Sequence, residues 1–288
     1  NFSLNEFMKI FLTGGTGYLG ANFINYALKQ NHKIYAISRR RKNSKRKNLF
    51  WLRGRIDNNW QQLKQCDVLV HLASEGVYNK YASFKKCYNF NVRASLRLLE
   101  NCVKYKCSKW ILIGSCFEKK IKNFPDQGKE VKKKRKMPFY NYALSKYIFT
   151  KKSLEIAKKN KVKCRVLRLF HVYGKNEHKD RLWPSLINAA KKNKNFYMTK
   201  GDQIRDFCYI DNVIISLLEA LNFQFRSKNF PQSWDFATGK KKSVKQFARE
   251  IWKKYESRGK LIFNKITDNN DQNYIANKKK LWKISSYI

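Results

Sequence analysis

The sequence predicts an α/β fold organised around a doubly wound parallel sheet. Three observations carry that expectation. A short apolar run, KIFLT, enters a glycine turn and then an amphipathic stretch; similar apolar runs recur at Lys33–Ser38, Asp67–Ser74, 109–115 and Val162–Phe170; and longer helical patterns separate them. Apolar runs too short for helices, closed by small or turn-forming residues and alternating with helical segments, read as buried parallel strands.

Composition sets the outer bounds. A chain of 288 residues suits one large domain or two intimate ones, and 43% hydrophobic residues can build a core despite 29% charged. No run of about 18 apolar residues is present and no leader pattern precedes Met8, so neither a membrane span nor a signal segment is expected. The stretch before Met8 reads as an extension of the fold. Seven cysteines (Cys66, Cys87, Cys102, Cys107, Cys116, Cys164 and Cys208) form no CxxC pair. That pattern fits reduced thiols in a cytoplasmic protein, with no structural metal. The formal net charge of +43 would suggest a polyanion partner, and a nucleic-acid binder is the reading it supports from a different functional class. Its distribution argues otherwise. Lysines lie along nearly every segment, denser at Arg39–Lys47 and Lys132–Lys136, as solvated basic faces would have them.

Taken in order, the first strand feeds GGTGYLG, Gly14 to Gly20, followed by the amphipathic ANFINYALKQ. Strand, glycine turn and helix together make a dinucleotide fingerprint, because backbone amides and the helix N-terminus face a pyrophosphate. The second strand, KIYAIS, is followed by Arg39, Arg40 and Arg41 with no acid. An acid at that distance would accept from the ribose of NAD, whereas arginines pair with a 2′-phosphate; the arginines therefore favour NADP(H) over NAD(H), or else are surface charge. DVLVHLAS reads as a buried strand, and Asn91 in NFNVRASLRLLENC as a helix cap or a functional side chain. KWILIGS closes on Ser115, and the YALSK stretch places Tyr142 and Lys146 four apart on one helical face. An ammonium beside a phenol favours phenolate, so Tyr142 is a candidate proton donor or acceptor near neutral pH. Tyr81/Lys85, Tyr105/Lys109, Tyr147/Lys151 and Tyr274/Lys278 share the spacing. The spacing alone singles out none of them, although Tyr142 has Pro138 just ahead of its helix.

These motifs resemble the extended, nucleotide-sugar branch of the short-chain dehydrogenase/reductase superfamily. The resemblance runs from Met8 to about Lys254: GxxGxxG at Gly14, Gly17 and Gly20, the serine-terminated strand, YxxxK, HVYG at His171–Gly174, RLWPSLI, GDQIRDFCYIDNV, and the closing WDFATG and SVKQFAREIWKKY. It implies a Rossmann-type dinucleotide-binding domain, residues 8–173, and a smaller C-terminal α+β substrate-binding domain, residues 174–288, with some segments interleaved. It also implies a homodimer and a nucleotide-diphosphate sugar as substrate. Cofactor contacts are implied for Gly14, Thr16, Gly17, Tyr18, Leu19, Gly20, Arg39, Arg40, Leu72, Ala73, Asn91, Tyr142, Lys146, Phe170 and Val172. The resemblance is also what selects Tyr142 among the Tyr/Lys pairs: it implies a serine at a strand end about 27 residues before the tyrosine, a place Ser115 fits. In the family, Ser115 would hydrogen-bond a substrate oxygen, Tyr142 would shuttle its proton, and Lys146 would hold the nicotinamide ribose. Arg205 would grip the diphosphate, which suits a guanidinium that donates two hydrogen bonds at once. His171 replaces the family's Asn, either as a substrate contact or as a satisfied strand-end histidine. Asp206 and Asp211 read as local structure. Arg55 stands where an adenine-contacting Asp is common, and Lys119 and Lys120 replace a Tyr-Gly pair. Cys116 and Phe117 occupy the places of a dehydratase's acids; Cys116 and His178 lie out of register for a 3,5-epimerase/reductase. There remain an NADPH-dependent 4-ketoreductase, of the CDP-abequose synthase type, and an NAD-dependent 4-epimerase. The arginines favour the reductase.

Overall fold

The computed structural model describes residues 7–121, 139–222, 231–265 and 272–286. Pro138, the basic run Lys132–Lys136 and most of the stretch before Met8 lie outside them. The expected strands are present: β1 Lys9–Thr13, β2 Lys33–Ser38, β3 Leu49–Arg53, β4 Val68–His71, β5 Lys109–Ser115 and β6 Lys163–Leu169. With β11 Gln232–Ala237 and β14 Leu281–Lys283 they form one eight-stranded sheet in the order β14-β11-β6-β5-β4-β1-β2-β3. The pairings β3–β2, β2–β1, β1–β4, β4–β5, β5–β6 and β11–β14 are parallel. The sequence order reverses between β1 and β4, so the crevice beyond the ends of those strands is where a doubly wound sheet takes its ligand.

Helices cover this sheet. Helix α1, Tyr18–Lys29, buries Phe23, Ile24 and Ala27. Helix α2, Phe84–Tyr88, continues through a π turn at Asn89–Ala94 into α3, Ser95–Lys104. The helix thus begins at an N-cap on Ser83, and Asn91 lies inside it; the expectation that Asn91 caps its start is corrected. Helix α4, Tyr140–Lys159, carries the YALSK residues and buries Tyr142 through Lys146 without interruption. Trp110, Phe11, Leu69, Leu98, Leu99 and Phe149 are fully enclosed in this core.

The described residues fall into two compact units, one within Asn1–Leu169 and Ile214–Trp234, the other within Phe170–Val213 and Asp235–Ile288. The second has its own core. Leu186 on α5 (Leu182–Lys191), Met198, and Val244 and Ala248 on α7 (Val244–Lys254) pack together. Phe207 and Phe247 stack with ring centres 3.9 Å apart. Short strands complete it: β7 His171–Tyr173 pairs with β10 Phe207–Tyr209, β9 Ile204–Arg205 with β12 Lys242–Ser243, and β8 Phe196–Tyr197 with β13 Leu261–Ile262. Helix α6, Ile210–Glu219, follows β10 directly.

A polar chain crosses the first core where β1 and β4 end. The Ala73 amide donates to Thr13 Oγ1 at 3.3 Å, Thr13 Oγ1 lies 2.6 Å from His71 Nδ1, His71 Nε2 lies 3.1 Å from Ser95 Oγ, and that hydroxyl donates to the Phe90 carbonyl at 3.0 Å. Each donor finds an acceptor only if His71 is neutral and protonated on Nε2. Burial, with Lys146 adding its charge, pushes the imidazole down to about 3. The unfolded chain, whose histidine titrates near 6.5, binds the extra proton first, so stability is lost as pH falls below that value. The urea midpoint should drop between pH 6.5 and pH 4, this one group contributing about 1.4 kcal/mol per pH unit. His71→Gln should flatten the slope; an unchanged slope would refute the neutral-tautomer assignment.

Candidate active site

Strand β5 delivers Ser115 to the end of the sheet, where it caps a tight 3-10 turn, Cys116–Lys120. Its Oγ accepts from the Phe117 amide at 3.3 Å, so its own proton remains available to donate. The Ser115 and Ser74 side chains lie close enough to the Tyr142 phenol to favour its ionised form. Tyr142 is 8% exposed, Ser115 5% and Lys146 2%, so all three sit inside the first unit. Residues 115 and 142, matched in the sequence, thus lie near one another. The expected acidification of the phenol is not what the structure has. Burial raises Tyr142 above the ordinary phenol value, the Glu118 carboxylate and Cys116 push the same way, and the neighbouring Ser115 and Ser74 hydroxyls only partly oppose them. Lys146 pays for its own burial: it is pushed down to about 8, with Glu118 opposing the fall, and its ammonium lies 5.2 Å from the Phe149 ring.

Asn91 works as a tie. Its Oδ1 accepts from the Glu75 amide at 2.8 Å and from Ser74 Oγ at 3.2 Å, while Nδ2 donates to the Glu75 carbonyl and to Ser145 Oγ, both at 2.9 Å. Every polar group of the side chain is used to hold the loop after β4 against α4. Sequence reasoning missed Ser74 and Glu118. Ser74 ends the DVLVHLAS run three residues past the strand proper, and Glu118 stands three after Ser115 in a capping pattern that was there to be read.

The glycine turn separates into two kinds of glycine. A Cβ on Gly14, which has φ +74°, would come within 2.6 Å of the Ala73 amide nitrogen and 2.8 Å of the Leu72 carbonyl carbon; one on Gly20 would fall on the Gly14 carbonyl. These two let β1, α1 and the Leu72–Ala73 segment close on one another. Gly17 is different. Its Cβ would meet only the Gly14 carbonyl oxygen, at 3.3 Å, and Thr16 and Gly17 are exposed. Gly17 also caps α1 without any side-chain bond, and no acid occupies the first turn, where Tyr18 and Leu19 stand. An uncapped helix N-terminus beside a bare glycine fits a dinucleotide's pyrophosphate.

Beyond β2, a cavity of about 300 Å³ is lined by Arg40, Arg41, Lys42, Asn43, Trp51 and Arg53. Arg39 is exposed and is not part of that wall, while Arg55 turns to Asp57 at 3.1 Å. In the second unit, Phe170 is buried and Val172 half-buried. Arg205 is buried, lies 5.0 Å from the Tyr274 ring, and donates from Nη1 to the Ile204 and Gln272 carbonyls. His171 lies between Tyr274 and Phe207; burial, with Arg205 and Arg181, holds it well below its ordinary value. Asp206 is structural as expected, receiving Thr238 N, Thr238 Oγ1 and Gly239 N.

A doubly wound parallel sheet, a glycine turn at its reversal point, and a buried Ser–Tyr pair on β5 and α4 define the class as a dinucleotide-dependent enzyme of the short-chain dehydrogenase/reductase type. Residues 10–230 match the NAD dependent epimerase/dehydratase family, and the chain belongs to it. Among characterised relatives, it is 27% identical to CDP-abequose synthase of Salmonella muenchen over 92% of this chain and 86% of the relative. It is 28% identical to ADP-L-glycero-D-manno-heptose-6-epimerase of Brachyspira hyodysenteriae over 86% and 81%. Its fold is similar to that of UDP-glucuronic acid 4-epimerase from Bacillus cereus in complex with a fluorinated UDP-sugar and NAD (TM-score 0.78, 20% identity, 98% and 95% covered). UDP-glucose 4-epimerase of Thermotoga maritima with UDP-glucose is similar too (TM-score 0.75, 18% identity, 94% and 91% covered). Among the described residues no helix is long and apolar enough to cross a membrane.

The two kinds of glycine should respond differently to alanine. Gly20→Ala should lower the melting temperature sharply or prevent folding, because backbone would have to move. Gly17→Ala should melt like the wild type yet bind dinucleotide roughly tenfold or more weakly in calorimetry, since its side chain would occupy the space a pyrophosphate needs. Equal melting and equal binding for Gly17→Ala would remove that cradle from the turn.

Proposed function

We propose that the protein is an NADPH-dependent reductase of a nucleotide-linked 4-keto-6-deoxy sugar, with Tyr142 as the general acid. The cavity past β2 is the observation that carries the reading: Arg40, Arg41, Lys42 and Arg53 line it with no carboxylate among them. Four cations around one concavity suit a ribose 2′-phosphate and give the ribose hydroxyls of NAD no acceptor. Relatives named CDP-abequose synthase support the substrate class.

When bound, the nicotinamide cofactor supplies the hydride. The protein's part is the proton and the orientation. Ser115 donates a hydrogen bond to the carbonyl oxygen, and Tyr142 gives that oxygen its proton as negative charge gathers there. A phenol raised by burial begins each cycle protonated, which suits reduction; a 4-epimerase would need it first as a base. Lys146, one helical turn further along α4, is a cation at neutral pH and offsets the charge left behind. Arg205 and His171 are proposed to hold the diphosphate and a sugar oxygen.

Steady-state assays test this. Arg40→Ala/Arg41→Ala should raise the KM for NADPH on the order of tenfold to a hundredfold while leaving NADH little affected, as expected for lost guanidinium–phosphate bonds. Because Lys146 is charged below about 8, turnover should be steady through neutral pH and decline above that value. Protein that consumed no NADPH with any nucleoside-diphosphate 4-keto sugar, but interconverted UDP-hexoses with bound NAD, would replace reduction by 4-epimerisation.

A further inference from the structure

We propose that Glu118 is a positioning residue for the Ser115–Tyr142 pair, an assignment that rests on the reduction proposed above. The carboxylate is buried at 2% exposure and both its oxygens are engaged. Oε1 accepts from the Ser115 amide at 2.7 Å, and Oε2 accepts from Arg168 Nε at 3.2 Å. Strand register supplies that partner, because Gly114 on β5 lies opposite Arg168 on β6. Gly114 also supplies the room: a Cβ there would lie 2.7 Å from Glu118 Oε1. A glycine, a serine, a carboxylate three residues on and an arginine across the sheet therefore make one unit. A buried carboxylate is costly unless paired and hydrogen-bonded, and this one is both.

The unit does two things to the reacting groups. By fixing the Ser115 amide it sets the backbone from which the Ser115 hydroxyl reaches Tyr142. Its negative charge also favours a protonated phenol on Tyr142 and a charged ammonium on Lys146, the starting state for proton donation. Other titratable neighbours add little to this between pH 6 and pH 9. Burial pushes the Cys87 thiol up to about 11 and His71 down to about 3, so both are neutral there. Cys116 acts on Tyr142 in the same direction as Glu118, and Ser115 and Ser74 are uncharged.

The test is a substrate-free titration of tyrosinate absorbance, taking each protein minus its Tyr142→Phe counterpart. In Glu118→Gln, which keeps the acceptor for the Ser115 amide, Tyr142 should ionise at lower pH than in the wild type. Glu118→Gln/Arg168→Met removes both charges, avoids a stranded guanidinium, and should keep that displacement. With NADPH and a CDP-linked 4-keto-6-deoxyhexose, kcat should fall about tenfold for both variants with KM nearly unchanged. The alkaline decline in turnover should move to lower pH. If Tyr142 ionises at the same pH in all three proteins and only the melting temperature changes, Glu118 is a turn cap and the proposal fails. If the titration moves but the wild type turns over no such sugar, the positioning role stands and the reduction does not.

Discussion

Seating the Tyr142 phenol near Ser115 brings the start of α4 down onto the end of β5, and much of the first unit follows from that approach. A serine hydroxyl is short, so the helix must come down onto the strand end. Doing so encloses Tyr142, Lys146 and Ser145 and obliges each polar group to find a partner inside the protein. Ser145 donates to the Tyr142 carbonyl and accepts from Asn91; Asn91 in turn holds the Glu75 backbone. The π turn in the α2–α3 helix belongs to the same adjustment, since it carries Asn91 where those partners meet.

Enclosure changes the electrostatics as well as the packing. In water an ammonium four residues from a phenol would simply acidify it. Inside the core both groups resist ionisation, and desolvation is the larger influence on each. What remains adjustable is the balance among the charges that were buried along with them. Helix α4 sits in a field set by β5, β6 and the turn after Ser115, and the strands therefore do more than support it.

Much of this was legible in the chain, and the reasons are specific. Strand, glycine turn and helix at residues 9–29 are a local pattern with one steric solution, so Gly14, Gly17 and Gly20 could be read without coordinates. Ser115 and Tyr142 could be matched because the family's strand-end serine and YxxxK tyrosine have a characteristic spacing that both residues fit. Less legible were groups whose meaning depends on strand register or on a distant side chain. Arg168 looks like any basic residue until β6 is laid beside β5 and it falls opposite Gly114. Leu281–Lys283, in a tail with no readable pattern, becomes an edge strand only through pairing with Asp235–Ala237. Asn91 was placed at a helix start because the family has an Asn at such a position; Phe84, Cys87 and Tyr88, at helical spacing just before it, carry the helix further back, to an N-cap on Ser83.

The charge of the chain bears on how the cavity past β2 should be weighed. With 63 lysines and arginines against 20 acids, most cations must do without a carboxylate. The structure shows where some of them go: Lys33 lies over Tyr35 and Phe50, Lys80 over Tyr81, Lys64 and Lys104 over Tyr105, and Lys245 over Phe263. Lysine stems on aromatic faces with heads in water need no ligand. A cluster of positive side chains is therefore unremarkable here by its number alone. Lys42 lies over Trp51 in the same way, whereas Arg40, Arg41 and Arg53 differ in geometry: they line a concavity just past the strand next to the glycine turn. Converging cations repel one another and gain from an anion that sits among them, whereas cations spread over a convex face are screened by salt within about 10 Å. Curvature, more than charge, is what would separate a phosphate site from the surface around it.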